Sequence, residues 1–253
     1  MLHPSRESAK NLTRQASTFA VPPWKRALDI ACILVFAPLL LPLSFLIAAV
    51  IKLVSPGPAI FKQERIGFLG KRFTCLKFRT MMVNAGISSH QGHLSHLMTA
   101  NCPMTKLDCA GDPRLIRFGR LLRSLGLDEL PQILNVLHGE MSLVGPRPCL
   151  GYEYEKYLPR HRRRCETLPG LTGYWQVNGK NDTTFERMVE LDIYYIEHKS
   201  VLLDLQIMVR TIPTLLGQAG KLIRMKKANS KSLQIEGAEG SPAVHAIKST
   251  SGR

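Results

Sequence analysis

One apolar stretch decides the fold of this chain: ALDIACILVFAPLLLPLSFLIAAVIKLV, at residues 27–54. Only Asp29, Ser44 and Lys52 interrupt it. At about 1.5 Å per residue, a helix of this length exceeds the roughly 30 Å hydrocarbon core of a bilayer. The sequence therefore predicts a membrane helix near the N-terminus.

Two features predict that this helix is bent. Pro38 and Pro42 lie in its middle, where each removes a helix hydrogen bond and clashes with the preceding turn. Basic residues both precede and follow the stretch, and the positive-inside rule then draws both ends toward the cytoplasm. A re-entrant hairpin places both ends on the cytoplasmic side, whereas an ordinary kinked single-pass anchor places only one end there.

The charge balance requires an anionic partner. Lysine and arginine number 34 against 19 aspartate and glutamate residues, which gives a formal charge of +15. An anionic membrane surface, a nucleic acid and a nucleotide sugar all fit this excess. Aromatic residues make up only 7 % of the chain and do not alternate with the basic residues, so we expect no nucleic-acid partner.

The six cysteines form no C-x-x-C pair, which predicts reduced thiols facing a cytoplasm. A zinc site is an alternative interpretation, with His90, His93 and His96 as ligands and Cys102 and Cys109 nearby. Their spacing is not that of standard zinc ligands, and the surrounding Gly, Ser and Asn residues favour a solvated loop.

Beyond the membrane stretch, periodicity predicts short elements. Alternating apolar and polar residues at 59–81 predict a two-stranded hairpin around a turn at 67–70. Residues 114–127 and 128–139 predict two helical pieces, the second capped by Gly139.

Three later segments complete the prediction. MSLVG at 141–145 predicts a short strand that leads into Pro146-Arg147-Pro148. LPGLTGYWQVNGKND at 168–182 predicts a loop in which Trp175 either contacts a ligand or anchors at the membrane interface. Residues 185–216 predict further helix, and its apolar second half suits the membrane interface.

The strongest chemical signal is the adjacent pair Asp128 and Glu129, placed before Leu130-Pro131 at a predicted helix N-terminus. Backbone N–H groups there also receive a phosphate, and two carboxylates beside a phosphate imply Mg²⁺. A capping Asp followed by a solvated Glu is the alternative. Basic residues that suit a diphosphate surround the pair in sequence: Lys77, Arg79, Arg114, Arg117, Arg120, Arg123 and Arg147.

The basic stripe Arg117, Arg120 and Arg123 also fits lipid phosphates, so both interpretations stay open for these three residues. Several other enzyme classes lose their sequence support. The chain lacks a P-loop, a dinucleotide-binding glycine motif, a Gly-x-Ser-x-Gly elbow and a His-Glu-x-x-His motif.

Four motifs together resemble the bacterial sugar transferases, also called monotopic polyprenyl phosphate phosphoglycosyl transferases. The motifs are DPRLIRFGRLLRSLGLDELPQILNVLHGEMSLVGPRP at 112–148, KFRTM at 77–81, PGLTGYWQVNGKND at 169–182 and ELDIYYIEHKSVLLDL at 190–205. The likeness covers about residues 24–217.

This resemblance implies a UDP-sugar donor, a polyprenyl phosphate acceptor such as undecaprenyl phosphate, Mg²⁺, release of UMP and a covalent intermediate. Asp128 would be the nucleophile, and Glu129 would assist with the metal or a proton. Both would be metal ligands. Arg147 would bind the uridine diphosphate.

The resemblance also makes Lys77, Arg79 and Arg123 phosphate-binding candidates. The family often bends its membrane helix at a Ser-Pro pair, and the matching position here is Ala37-Pro38. No serine hydroxyl is available there to help rearrange the backbone hydrogen bonds.

The predicted fold class is α+β and mainly helical, with one catalytic domain, a small β-hairpin and interfacial amphipathic helices. The predicted organisation is a disordered basic N-terminus at 1–22, a re-entrant membrane helix at 23–55, a catalytic domain at 56–224 and a disordered tail at 225–253. We expect the catalytic domain on the cytoplasmic face of a bacterial inner membrane, and a homo-oligomer is left open. A non-catalytic basic membrane scaffold that binds anionic lipid or nucleic acid is the alternative function.

Overall fold

The computed structural model describes residues 21–82, 102–103, 114–179, 182–217 and 220. The tail at 225–253, the three histidines of the zinc alternative and Cys109 lie outside these residues, as does all but the end of segment 1–22. Among the described residues, no group of three or more His, Cys, Asp or Glu side chains could hold a metal ion. The described chain is mainly helical with two small sheets.

Helix α1 covers Pro23–Val54 and is continuous through Pro38 and Pro42. It is long and apolar enough to cross a membrane. The side chains in its middle are largely exposed, among them Leu34, Leu39 and Phe45 at 66 %, 66 % and 79 %. Because the helix is uninterrupted at Ala37 and Pro38, the re-entrant hairpin stays a prediction.

The first end of α1 is held by buried polar contacts. Lys25 donates to Asp204 Oδ2 at 2.7 Å and to the Tyr195 hydroxyl at 2.8 Å. Asp29 accepts from the Ser142 hydroxyl and from the backbone N–H of Leu143, both at 3.0 Å. These bonds join the helix to segments more than a hundred residues away along the chain.

The other end of α1 rests on the same folded body. Ile47 and Ile51 pack in a buried cluster with Phe78, Ile116 and Leu122. Just beyond the helix, Arg79 donates to the carbonyl oxygens of Ser55 and Pro56 at 2.8 and 2.6 Å. Both ends of the membrane helix are therefore fixed to one domain.

The predicted hairpin is confirmed. Strands β1, Ile60–Ile66, and β2, Arg72–Phe78, pair antiparallel, with Gln63 opposite Cys75 and Phe61 opposite Lys77. Because side chains alternate between the faces of a strand, Arg65, Cys75 and Lys77 point to one side of the hairpin.

The segment with the acidic pair forms three short pieces: α2 at Gly119–Ser124, a 3₁₀ turn at Leu127–Glu129 and α3 at Gln132–His138. The first piece starts later than predicted because Phe118 has a left-handed backbone, with φ of 67°. Gly139 ends α3 with φ of 81°, as its predicted cap requires.

The predicted strand after α3 is β3, Ser142–Val144, and it pairs in parallel with β4, Gly170–Thr172. The prediction of a loop over 168–182 is therefore wrong in part, since this segment contributes β4 and the short helix α6, Tyr174–Val177. Trp175 is only 5 % exposed and donates to Thr183 Oγ1 at 2.6 Å. It belongs to the core and does not anchor the protein at the membrane interface.

Two further short helices, α4 at Gly151–Glu155 and α5 at Pro159–Arg162, precede β4. Helix α7 covers Phe185–His198, and α8 is helical over residues 201–217, so the predicted helical C-terminal region is confirmed. Asp204 and Ile207 of α8 are buried. Its exposed residues include Gln206 and Arg210 and large apolar side chains at the following positions: Val201, Leu202, Leu205, Val209, Ile212 and Leu216.

Candidate active site

A polar cleft lies between the β-hairpin, the start of α3 and the Pro146-Arg147-Pro148 turn. Its lining combines three basic side chains, one carboxylate, two amides and four smaller or apolar residues: Arg65, Lys77, Arg147, Glu129, Gln132, Gln176, Cys75, Pro148, Gly170 and Leu171. We call this the polar cleft. Such a mixture suits a ligand that carries both negative charge and neutral polar groups.

Lys77 and Glu129 form an ion pair inside the cleft. Lys77 Nζ lies 2.9 Å from Glu129 Oε1, and the two side chains are 22 % and 36 % exposed. The pair joins β2 to the 3₁₀ turn that carries the acidic residues. Because it is open to solvent, a bound ligand can reach both charges.

Asp128 occupies the middle of that 3₁₀ turn, one residue before Glu129, and is only 9 % exposed. The turn precedes α3, which starts at Gln132, so the acidic pair lies in a separate turn ahead of the helix and not in the first turn of a helix over 128–139 as predicted. Glu129 and Asp128 differ in exposure although they are neighbours. A buried carboxylate beside an accessible one allows the two to have different roles.

Arg147 is held beside the cleft by the residues around it. Pro146 and Pro148 are buried, whereas Arg147 is half-buried. Arg65 supports the turn, since its Nη1 donates to the Pro148 carbonyl oxygen at 3.1 Å while its Nη2 donates to Gln63 at 2.7 Å. Burial, and then repulsion from Arg147, lowers the pKa of Arg65. Two guanidinium groups this close favour an anion between them.

A family model described as bacterial sugar transferase matches residues 21–218, a range that includes α1, the polar cleft and α8. The chain belongs to the bacterial sugar transferase family. This finding confirms the resemblance that the motifs indicate, and it makes the protein a transferase.

Individual relatives agree with the family. This sugar transferase is 39 % identical over 189 residues to the exopolysaccharide production protein ExoY of Sinorhizobium fredii, covering 75 % of this chain and 84 % of the relative. It is 40 % identical over 204 residues to the UDP-glucose:undecaprenyl-phosphate glucose-1-phosphate transferase of Caulobacter vibrioides, covering 76 % and 69 %.

A third relative is much longer. The undecaprenyl-phosphate galactose phosphotransferase of Salmonella typhimurium is 36 % identical over 220 residues, which cover 83 % of this chain and 43 % of that protein. The sugar transferase therefore spans less than half the length of this relative.

The donor set of the sugar transferase fits Mg²⁺. This ion prefers hard oxygen ligands and is commonly held by one or two carboxylates together with water and substrate phosphates. Asp128 and Glu129 supply two adjacent carboxylates in one turn.

The structure separates the predicted phosphate-binding residues into two groups. Lys77 and Arg147 line the polar cleft with Glu129. Arg79 is buried and donates to backbone carbonyl oxygens after α1, and Arg123 is half-buried at the end of α2. Neither of these two is among the residues that line the cleft, and their phosphate-binding role stays a prediction.

Sequence reasoning did not single out three side chains of the cleft. Arg65 was counted as a charge flanking the membrane segment, although its register in β1, opposite Phe73, places it on the same face of the hairpin as Cys75 and Lys77. Gln132 directly follows the Asp-Glu-Leu-Pro motif, and Gln176 follows Trp175. Glutamine has no periodic or charge signal, so only the fold brings these two together.

Helices α2 and α3 add to the apolar surface of the sugar transferase. Phe118, Leu121 and Leu134 are 52 %, 45 % and 49 % exposed, and the Arg117 guanidinium lies 5.7 Å from the Phe118 ring centroid. Basic and apolar side chains mixed in this way are typical of a surface that meets lipid headgroups. The membrane alternative for the Arg117 stripe therefore gains support.

Proposed function

We propose that this sugar transferase moves a sugar-1-phosphate from a UDP-sugar to a polyprenyl phosphate such as undecaprenyl phosphate. The observation that carries the proposal is the arrangement of the cleft, which Lys77, Glu129 and Arg147 line together. The buried Asp128 is not among the lining residues and lies one residue before Glu129 in the same 3₁₀ turn. Relatives named for sugar-phosphate transfer to undecaprenyl phosphate support the substrate classes. A transfer of this kind would begin the assembly of an exopolysaccharide or another surface glycan.

The proposed reaction has two steps. In the first, an Asp128 carboxylate oxygen attacks the sugar-bearing phosphorus, and the bond from that phosphorus to the bridging oxygen of the diphosphate breaks. UMP leaves with the bridging oxygen, and an acyl phosphate that carries the sugar remains on Asp128. In the second, an oxygen of the polyprenyl phosphate attacks the same phosphorus and frees the carboxylate. A carboxylate nucleophile thus divides one difficult transfer into two steps.

Other side chains hold the donor during these steps. Arg147 offers two N–H groups to the nucleotide diphosphate, and Lys77 adds a positive charge next to Glu129. When bound, Mg²⁺ would neutralise part of the diphosphate charge between Asp128 and Glu129. Arg65 keeps the Arg147 turn in place through its bond to Pro148.

The membrane placement follows from the contacts of α1. A straight helix of 32 residues is about 48 Å long, more than the roughly 30 Å apolar core of a bilayer. Both of its ends bond to the same domain, and only its middle exposes a continuous apolar surface. We infer that α1 enters and leaves the membrane on one face, which would be the cytoplasmic face of a bacterial inner membrane.

Asp128→Asn tests the proposal. Purified wild-type protein with Mg²⁺ should release UMP from a UDP-sugar, and the variant should lose at least about 10³-fold of that rate because an amide is a poor nucleophile. Asp182→Asn is the matched control, since Asp182 is exposed. Full turnover by Asp128→Asn would contradict the proposal.

A second measurement tests the covalent step directly. Wild-type protein that is mixed with the donor, without acceptor, and quenched should gain the mass of one sugar phosphate on the peptide that contains Asp128. A non-catalytic membrane scaffold predicts salt-sensitive lipid binding without this adduct and without UMP release.

A further inference from the structure

The side-chain amide of Gln132 lines the polar cleft and forms no hydrogen bond with the residues that the structure describes. Gln132, the first residue of α3, is only 3 % exposed. The amide atoms of Gln132 are not among the fully buried side-chain atoms that lack a partner, so they keep contact with the open space of the cleft. An amide with no bond to a described residue and an open side toward the cleft is available to a ligand.

The position of Gln132 restricts which part of a ligand it meets. It follows Glu129 by three residues and Asp128 by four, so it lies next to the group proposed to attack the phosphorus. The sugar is attached to that same phosphorus. The nucleotide part of the donor extends instead toward Arg147 in this proposal.

The chemistry of the amide also favours the sugar. Lys77, Arg65 and Arg147 already supply the positive charge for a diphosphate. A glutamine amide is neutral and has two donors and an acceptor oxygen, so it pairs with a hydroxyl group that both donates and accepts. An anion would use only the N–H donors of the amide and leave its acceptor oxygen without a partner.

The second amide of the cleft is a useful contrast. Gln176 Nε2 donates to the Leu171 carbonyl oxygen at 3.3 Å, which fixes the orientation of its amide. Its Oε1 is fully buried without a partner among the described residues, so that it is closed to a ligand. Gln132 has no such bond among the described residues, so its orientation is set by what enters the cleft.

We propose that Gln132 is a specificity-determining residue that hydrogen-bonds a hydroxyl group of the transferred sugar. This inference rests on the proposed function. The ligand class is a neutral pyranose ring attached to the phosphate that Asp128 attacks.

The test compares donors as well as variants. UMP release is measured with UDP-glucose, UDP-galactose and analogues of the preferred donor in which one sugar hydroxyl at a time is replaced by hydrogen. Wild-type kcat/KM should fall about 10- to 100-fold for one of these deoxy donors. Gln132→Met, which keeps the side-chain volume, should lose a similar factor with the intact donor and little more with that deoxy donor.

The controls separate specificity from structure. Gln206→Met changes an exposed glutamine of α8 and should leave every donor unaffected. Thermal unfolding shows whether Gln132→Met folds; if it does not, Gln132→Asn, which keeps the amide but shortens its reach, replaces it. Because the deoxy series also uses wild-type protein, part of the test is independent of any variant.

An equal loss for all donors, or a deoxy penalty that persists in full in Gln132→Met, would overturn the inference while the proposed function stands. Wild-type protein that releases no UMP from any UDP-sugar would overturn the proposed function and the inference together. If Gln132→Met removes the kcat/KM penalty of only one deoxy donor, the hydroxyl that this donor lacks is the group that Gln132 binds.

Discussion

Two ion pairs of this sugar transferase share one chemistry and have opposite surroundings. Lys25 and Asp204 are 2.7 Å apart and only 0 % and 1 % exposed, whereas Lys77 and Glu129 are 2.9 Å apart and 22 % and 36 % exposed. The first pair joins the membrane helix to α8, and the second lines the polar cleft. Distance alone does not reveal which pair serves structure and which serves binding.

The two ion pairs differ in how many of their donor and acceptor atoms form hydrogen bonds within the protein. In the buried pair, the Tyr195 hydroxyl accepts from Lys25 and donates to Asp204 Oδ1 at 2.7 Å. Burial, and then the negative charge of Asp204, raises the pKa of Tyr195, so that its hydroxyl keeps the proton it donates. Hydrogen bonds that are all made within the protein hold its elements together. The solvent-accessible pair of Lys77 and Glu129 can still form further contacts with a ligand.

The largest expected effect is the loss of stability when the buried pair of Lys25 and Asp204 is broken. Lys25→Met leaves Asp204 buried without its counter-ion, which should lower the free energy of unfolding by about 3–5 kcal/mol. Thermal unfolding in detergent measures this loss, with Lys52→Met, an exposed position near the other end of α1, as the control. An unchanged midpoint would show that the buried pair does not hold α1. The double variant with Asp204→Leu should recover part of the stability, because the unpaired Asp204 charge is removed while Asp29 still lacks the nearby charge of Lys25.

A smaller effect is expected at the other end of α1. Arg79→Met removes the donors to Ser55 and Pro56, and we expect a loss of about 2–3 kcal/mol in stability with normal UMP release by the folded fraction. Arg72→Met, at an exposed arginine of β2, is the control. If the variant instead raises the KM for the donor at unchanged stability, Arg79 binds phosphate after all and the comparison fails at this residue.

The smallest of the three effects is expected at the solvent-accessible pair of Lys77 and Glu129. Lys77→Met should reduce kcat/KM for the UDP-sugar about 10- to 100-fold, since a charge-assisted contact is lost. Stability should change by less than about 1 kcal/mol, because a partly exposed ion pair contributes little. Steady-state kinetics and thermal unfolding on the same preparation check both statements, with Lys71→Met as the exposed control. A large stability loss without a kinetic defect would make this pair structural.

Local patterns of the sequence predict the local elements well. The hairpin, Gly139 at the end of α3 and the helices after Phe185 follow from alternation, a glycine cap and apolar periodicity. The acidic pair and Arg147 are also visible as motifs. Each of these signals depends on residues that are close together in the chain.

What the sequence does not reveal depends on distant partners. Asp29 and Asp204 look like interruptions of apolar segments, and Lys25 looks like a charge outside the membrane, yet Lys25 and Asp204 pair across 179 positions. The positive charge of Arg79 suits a phosphate, but its guanidinium donates hydrogen bonds to backbone carbonyl oxygens instead. The parallel pairing of β3 with β4 is equally invisible to periodicity.

Helix α3 connects the membrane anchor to the proposed chemistry. Arg26 of α1 donates to the Val136 and Leu137 carbonyl oxygens at one end of this helix, and the turn that carries Asp128 precedes its other end. Asn135, in between, accepts from the N–H of Leu76 in β2. Seven helical residues measure about 10 Å, so α3 acts as a rigid spacer of that length between the Arg26 contacts and the carboxylates. In the proposed membrane placement and reaction, this spacer would set the distance from the lipid surface at which the lipid phosphate and the nucleotide sugar meet Asp128.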